Sequence, residues 1–133
     1  MRNTPLKEPA YRHSEAEEAL SSIRRGSRVF IGTGCGKPQL LVNTLMSMAP
    51  TLADTEIMHI ITAGTAPYTE ESFAHCFRHN AFFIGANTRK AIWEGRADYT
   101  PIFLSEIPMM FKTGRIHVDT ALISVSPPDK YGY

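Results

Sequence analysis

Two short segments combine small residues with a cation, a pattern that suits the binding of an anion. Glycines let a backbone approach a ligand closely, and free N–H groups at the start of a following helix favour phosphate or carboxylate. The spacing matches neither the dinucleotide-binding fingerprint nor a P-loop, so an ordinary tight turn stays an equal alternative. The candidate residues are Gly34, Cys35, Gly36, Lys37 and Pro38 in the first segment, and Gly85, Ala86, Asn87 and Arg89 in the second.

Arg89 falls in the first turn of a predicted helix, where a cation opposes the helix dipole unless it has a partner. Asn87 is a plausible N-cap for the same helix. A bound anion would explain the arginine. An acidic neighbour such as Asp98 or Glu106 would explain it equally well.

The remaining reactive side chains give weak signals. Cys35, in a glycine loop near a helix start, could act as a nucleophile, but no partner is identifiable by spacing. His75 and His79 stand four positions apart, a near-helical spacing, and residues 70–78 are predicted to be helical with a buried Cys76. Without a third ligand this pair is weak evidence for zinc, and two solvent-facing histidines are the favoured interpretation. The sequence therefore assigns no catalytic residue and no metal ligand.

Strands and helices alternate along the chain. Short apolar runs predict strands at residues 28–31, 57–61, 82–84, 99–104 and 118–125. Helices are predicted at 14–25, where Ser14 and Glu17 form a capping box, at 87–94 and at 105–112. This order indicates the α/β class, with an open, mostly parallel sheet and helices on both faces. Pro101 suggests an edge strand or a bulge, because it lacks a ladder donor.

Composition narrows the class of protein further. The 133 residues suit one domain, and residues 1–13 are predicted to form an extended arm. A net charge of +1 gives no field for nucleic acid, and no stretch approaches the roughly 18 apolar residues of a membrane span. Two cysteines, which could form one bridge at most, favour a reducing cytoplasm.

Three segments go beyond composition. Residues 82–108, FFIGANTRKAIWEGRADYTPIFLSEIP, and residues 125–133, VSPPDKYGY, resemble the N-terminal domain of the acetyl-CoA hydrolase/CoA-transferase family, which includes 4-hydroxybutyrate CoA-transferases. Residues 30–42, FIGTGCGKPQLLV, are similar to its first glycine loop more loosely. The resemblance implies that residues 14–133 are part of an N-terminal α/β domain of this kind.

The resemblance also implies a function. In this family a glutamate of the C-terminal domain attacks an acyl-CoA thioester, and CoA moves to a carboxylate or water through a glutamyl-CoA intermediate. By analogy the two glycine segments contact substrate, and Glu106 is a supporting polar residue. Coenzyme A is then a substrate, no metal is expected, and the partners are acyl-CoA, a small carboxylate and a catalytic C-terminal domain or subunit. No glutamate of this chain matches the nucleophile, so the chain alone is predicted to be inactive.

Two other functions stay open. The chain could be a stand-alone module that binds CoA or another anion without turnover. It could also be an interaction subunit whose exposed cleft wall seeks a partner, a homo-oligomer included. Affinity for CoA without turnover would favour the first, and self-association would favour the second. Neither the acyl group nor the choice between hydrolysis and transfer follows from the sequence.

Overall fold

The fold is built on a five-stranded parallel sheet. The structure is a computed structural model, and it describes residues 12–131. The strands lie in the order β4-β3-β2-β1-β5, and every neighbouring pair is parallel. Their bounds are Arg28–Ile31 (β1), Thr55–His59 (β2), Phe77–Ala81 (β3), Ala97–Tyr99 (β4) and Thr120–Leu122 (β5).

Four short helices and several 3₁₀ turns connect the strands. The helices are Ala16–Leu20 (α1), Gln39–Ser47 (α2), Ala86–Trp93 (α3) and Ile107–Lys112 (α4). The 3₁₀ turns are Ala49–Thr51, Pro67–Thr69, Glu71–Phe73 and Leu104–Glu106. The predicted α/β class with a parallel sheet is therefore confirmed. Among the described residues, no helix has both the length and the apolar character to cross a membrane.

Alternation along the strands divides the core into two layers. Val29 and Ile57 face one side of the sheet, where they pack in one cluster with Leu45 of α2. Phe30 and Met58 point to the other side, in the cluster that contains Ile107 of α4. Full burial of such a side chain stabilises the fold by about 1.5–3 kcal/mol. Helices therefore cover both faces, as the strand pattern predicted.

The predicted third strand is wrong in position. Residues 82–84 were expected to form it, but β3 spans Phe77–Ala81 and takes over the end of the predicted helix at 70–78. Only a 3₁₀ turn, Glu71–Phe73, forms in that region. The strand buries Phe77, His79 and Ala81 on one face, and polar residues separate them. The expected helical pair of His75 and His79 therefore does not exist.

The chain termini and the helix ends differ in smaller ways. Helix α1 is shorter than predicted, and Glu15 rather than Ser14 occupies its N-cap without a side-chain cap bond. The third helix has Gly85 at its N-cap, so the prediction of Asn87 as the cap is wrong. Strand β4 is an edge strand, as Pro101 suggested, but it spans Ala97–Tyr99, so the predicted span of 99–104 is wrong and Pro101 lies outside the strand. The predicted arm falls largely on residues 1–11, outside the described residues.

Gly95 and Gly114, which directly follow the C-caps of α3 and α4, adopt the left-handed conformation that often ends a helix, and Gly26 adopts it in the turn before β1. Gly95 has φ 72° and open space where a side chain would stand. We expect Gly95→Ala to lower the free energy of unfolding by about 1 kcal/mol, since only backbone strain opposes the new methyl group. Gly95→Asn should cost less, because Asn tolerates this conformation. Urea denaturation of both variants tests this, and equal costs would contradict it.

Candidate functional site

The loops that follow β1 and β2 are joined beyond the ends of the strands. Gly34 and Thr62 form an isolated parallel bridge. The Gly34 N–H donates to the Ile61 carbonyl at 2.7 Å, and the Ala63 N–H donates to the Gly34 carbonyl at 3.2 Å. The carboxyl ends of parallel strands are where open α/β sheets bind ligands. The first glycine segment therefore lies at the edge of the sheet where a ligand site is expected.

The first glycine segment packs tightly at its base and is open at its tip. A Cβ on Gly32 would lie 3.1 Å from the Gly36 carbonyl oxygen and 3.3 Å from that of Leu122, so a side chain there would press on backbone. Cys35 is exposed, and it is a free thiol, as is buried Cys76. Pro38 is buried directly before α2. The tip thus presents small groups to solvent.

Lys37 connects the first loop, which follows β1, to the second loop, which follows β2. Its Nζ donates to the Thr65 carbonyl oxygen at 2.6 Å, and partial burial lowers the pKa of the ammonium group. A Cβ on Gly64 would lie 3.6 Å from this Nζ, so the lysine passes close over the second loop. One of its three protons is engaged in this bond, which leaves donors for a ligand.

Asn87, near the start of α3, connects that helix to the second loop, the one that follows β2. Its Nδ2 donates to the Thr62 carbonyl at 3.2 Å, to Thr62 Oγ1 at 3.2 Å and to the Gly64 carbonyl at 2.9 Å. We call these three bonds the Asn87 clamp. A Cβ on Gly85 would lie 2.7 Å from Asn87 Oδ1, so only glycine fits beside the clamp without a shift. Ala86 is exposed at the start of the same helix.

Segment 62–65 therefore brings three predicted site residues together. Gly34 bridges Thr62, Lys37 binds the Thr65 carbonyl, and Asn87 binds Thr62 and Gly64. The sequence marked this segment only as small residues after a strand. The structure makes it the connection between the first glycine segment and the start of α3.

Arg89 and Glu106 have different partners in the structure. The guanidinium of Arg89 lies 6.0 Å from the ring centroid of Trp93, one turn along α3. Asp98, one of its expected partners, instead binds Arg78, and Glu106 Oε2 accepts the Phe103 N–H at 3.3 Å. The expected pairing of Arg89 with either acid is therefore wrong.

Glu106 lines a separate groove of about 410 Å³. Its walls include Phe83, which follows β3, and Tyr99, the last residue of β4. Both strands end at this edge of the sheet, so Glu106 stands at the same edge as the glycine loops. Its described contact is with backbone rather than with the other candidate residues.

Sequence reasoning missed three buried rings beneath the second loop, those of His59, Tyr68 and His79. Each has at most 1% of its surface exposed. Burial lowers the pKa of His59 to about 3 and that of His79 to about 4, and it raises the pKa of Tyr68 to about 12. The only signal in the sequence was the position of His59 within the apolar run 57–61, and no such run contains His79.

Residues 12–131 contain no group of three or more His, Cys, Asp or Glu that could hold a metal ion. The site consists instead of glycine loops, one ammonium group, one amide and neutral buried rings. Such a set can hold an anionic ligand and donate hydrogen bonds to it, but it includes no activated nucleophile.

Comparison with known proteins identifies relatives over nearly the whole chain. The chain is 48% identical over 118 residues to the 4-hydroxybutyrate coenzyme A transferase of Clostridium kluyveri, covering 89% of this chain and 28% of the relative. It is 45% identical over 122 residues to a succinyl-CoA:acetate/propanoyl-CoA:succinate CoA transferase of Fasciola hepatica, covering 90% of this chain and 25% of that protein. The chain thus spans about a quarter of the length of these relatives.

Solved structures show the same fold. RipA from Yersinia pestis superposes with a TM-score of 0.79 at 24% identity, over 90% of this chain and 30% of that one. The 4-hydroxybutyrate CoA-transferase of Porphyromonas gingivalis gives a TM-score of 0.65 at 19% identity, over 88% and 25%. The family described as "Acetyl-CoA hydrolase/transferase N-terminal domain" matches this chain over residues 3–133. On the match and the two close relatives, the chain belongs to the acetyl-CoA hydrolase/transferase family.

Proposed function

We propose that this chain forms one wall of the substrate cleft in an enzyme that moves CoA between an acyl-CoA and a carboxylate, or to water. The nucleophile is a glutamate outside residues 1–133, carried by a C-terminal domain or a separate subunit. The observation that supports this most directly is the joining of the first glycine segment, Lys37 and Asn87 through segment 62–65. The relatives at 48% and 45% identity are both described as CoA transferases.

The proposed reaction requires that the thioester carbonyl be held in a fixed position, and that water be excluded when the acceptor is a carboxylate. The glutamate carboxylate attacks the thioester carbonyl and expels CoA thiolate, which leaves a mixed anhydride. The thiolate then attacks the glutamyl carbonyl, releasing the original acid and forming glutamyl-CoA. An acceptor carboxylate, or water in the hydrolase case, completes the exchange. Each addition creates an oxyanion that nearby N–H donors can stabilise.

The chain's own groups fit the binding side of this scheme. Gly34, Gly36 and Gly85 permit close approach of backbone to ligand, and Lys37 places a cation beside them. The Asn87 clamp holds the second loop against the start of α3, which fixes the shape of the wall. We place Gly34 to Pro38 and Gly85 to Arg89 along the substrate, with Glu106 as a polar support.

Binding of CoA to the chain tests this proposal. We expect CoA to bind, and Lys37→Met to weaken it about tenfold, because a cation paired with an anionic group contributes on the order of 1.4 kcal/mol. Isothermal titration calorimetry measures both affinities. Lys112→Met, which removes a cation from the end of α4, is the matched control and should bind as the unmodified chain does. Equal affinities of the Lys37 and Lys112 variants would contradict the proposal.

A second candidate function is an interaction module without catalysis. Several large apolar side chains are more than half exposed, which is unusual for a lone surface. They are Leu40, Trp93, Phe103, Leu104, Met109, Ile123, Val125 and Tyr131. Sedimentation of the chain over a range of concentrations separates the two cases. Self-association without affinity for CoA would favour the module, and affinity for CoA in a monomer would favour the cleft wall.

A further inference from the structure

A compact cluster of three rings lies beneath the second loop. The rings of His59 and His79 are 4.3 Å apart between centroids and tilted by 30°. Tyr68, on the 3₁₀ turn Pro67–Thr69, lies 5.9 Å from His59 and 5.4 Å from His79. All three are almost fully buried. We call this group the buried ring cluster, and the proposed function above gives it no role.

The proton on His79 is fixed by its neighbour. Its Nδ1 lies 2.9 Å from the Ile57 carbonyl oxygen, which can only accept, so Nδ1 carries the proton. Its Nε2 is then a bare acceptor, and it has no partner among the described residues. A neutral ring of this kind stacks on His59 without charge repulsion.

The proton on His59 follows from the Asn87 clamp. Asn87 Nδ2 donates to Thr62 Oγ1, which leaves the Thr62 hydroxyl proton free to donate elsewhere. His59 Nε2 lies 3.5 Å from the same oxygen, at the long end of hydrogen-bond distance. If Thr62 donates to Nε2, the His59 proton sits on Nδ1, which has no hydrogen-bond partner among the described residues.

We propose that His59 is a positioning residue of the candidate site, whose neutral ring accepts the Thr62 hydroxyl proton and so orients Thr62 Oγ1 to receive the Asn87 amide. The ring lies on β2, the hydroxyl on the second loop and the amide on α3. One buried side chain thereby helps to hold the second loop against the helix start. Its effect on ligand affinity rests on the proposed function, whereas its effect on Asn87 does not.

The charges around His59 keep its ring neutral. His79 on β3 and Lys37 on the first loop both disfavour a proton, and Tyr68 faces the ring from the 3₁₀ turn as a neutral phenol. Asp98 on β4 acts on His79 in the opposite sense but less than burial does. A protonated His59 would present an N–H to Thr62 in place of an acceptor, so the clamp would lose the orientation of its central oxygen.

Paired substitutions test the role of His59. Gln places an amide near the position of Nε2, whereas Asn reaches only as far as Nδ1. We expect His59→Asn to speed hydrogen exchange of the Asn87 side-chain amide about tenfold, the effect of losing roughly 1.4 kcal/mol of orientation. His59→Gln should restore slow exchange. NMR of the chain measures this, together with the imidazole nitrogen shifts that report which nitrogen carries the proton.

A second pair and a control complete the experiment. Thr62→Val removes the acceptor of the Asn87 amide and should speed the same exchange, while Thr62→Ser preserves it. If His59→Asn does not fold, the His59 nitrogen shifts in Thr62→Val decide the matter, because loss of the hydroxyl donor should change the shift of Nε2. His75→Gln, a change at an exposed histidine, should leave the amide unaffected. Unchanged Asn87 exchange in His59→Asn, or unchanged His59 nitrogen shifts in Thr62→Val, would overturn the proposal. CoA affinity is measured on the same variants, and a chain that binds no CoA would refute the proposed function while the amide result still decides on His59.

Discussion

Lowering the pH from 7 to 5 should reduce the free energy of unfolding of this chain by about 4 kcal/mol, with about 2 kcal/mol from each of His59 and His79. Both rings are buried, and burial lowers their pKa values to about 3 and about 4 from an ordinary 6.5. A loss of this size is a large fraction of the stability of a small domain. We therefore expect acid sensitivity well above the pH at which carboxylates titrate.

The direction of the pH effect follows from the pH at which the unfolded and the folded chain take up protons. In the unfolded chain both histidines take up protons near pH 6.5, but in the folded chain they stay neutral until pH 4 or below. Their contribution to stability is complete above pH 6.5 and is lost as the pH falls through that value. The bond from Arg78 lowers the pKa of Asp98, so that carboxyl acts at more acid pH.

Urea denaturation at pH 5, 6 and 7 measures this effect. The double variant His59→Gln with His79→Asn should be less stable at pH 7 but should lose little further stability at pH 5. His75→Gln changes an exposed histidine and should keep the full dependence on pH. A double variant as sensitive to pH as the unmodified chain would show that other groups cause the loss.

The same histidine explains why one strand could not be predicted from the sequence. Strands β1 and β2 are apolar runs and were predicted close to their true positions, but β3 alternates Phe77, His79 and Ala81 with polar residues. Residues 82–84 are more apolar, so the third strand was predicted there. A buried histidine becomes acceptable only when a distant carbonyl, here that of Ile57, satisfies its proton. That partner comes from another strand, so no local pattern shows it.

The candidate site was predictable in its place but not in its contacts. Loops after parallel strands meet at one edge, and the strand order puts those after β1, β2 and β3 side by side. The bond from Asn87 to Thr62 joins residues far apart in sequence, and only the tertiary fold brings them together. The contact of Arg89 with Trp93 is different, because two residues four apart on a helix are neighbours, and the sequence alone could have indicated it.

The chain of residues 1–133 should not exchange CoA between an acyl-CoA and acetate at any rate above the buffer background. The two glutamates nearest the family motifs, Glu94 and Glu106, are both engaged in structural contacts. Glu94 caps the C-terminal end of α3 and pairs with Arg96, whose hydrogen bond lowers the pKa of the carboxyl. Glu94 lies seven positions from Asn87, about 10 Å of helix rise, although both residues line the groove beside residues 64–66.

Glu106 is no better placed as a nucleophile. Its Oε2 accepts the Phe103 N–H, which helps to start the turn before α4. A carboxylate used in this way has a backbone donor beside it at all times, and attack on a thioester would require giving up that bond. Neither group is paired with the neighbouring oxyanion donors that covalent catalysis needs.

Exchange of isotopically labelled acetate into acetyl-CoA, followed by mass spectrometry, measures turnover directly. The succinyl-CoA:acetate/propanoyl-CoA:succinate CoA transferase of Fasciola hepatica, whose name includes acetate and of which this chain covers 25%, serves as the positive control. We expect the chain to remain at background with and without Glu94→Gln and Glu106→Gln. Addition of a polypeptide carrying the rest of the family sequence should raise the rate if the cleft assembles from two parts. Sustained exchange by the chain alone, abolished by either substitution, would place the nucleophile here and refute the division of labour that we propose.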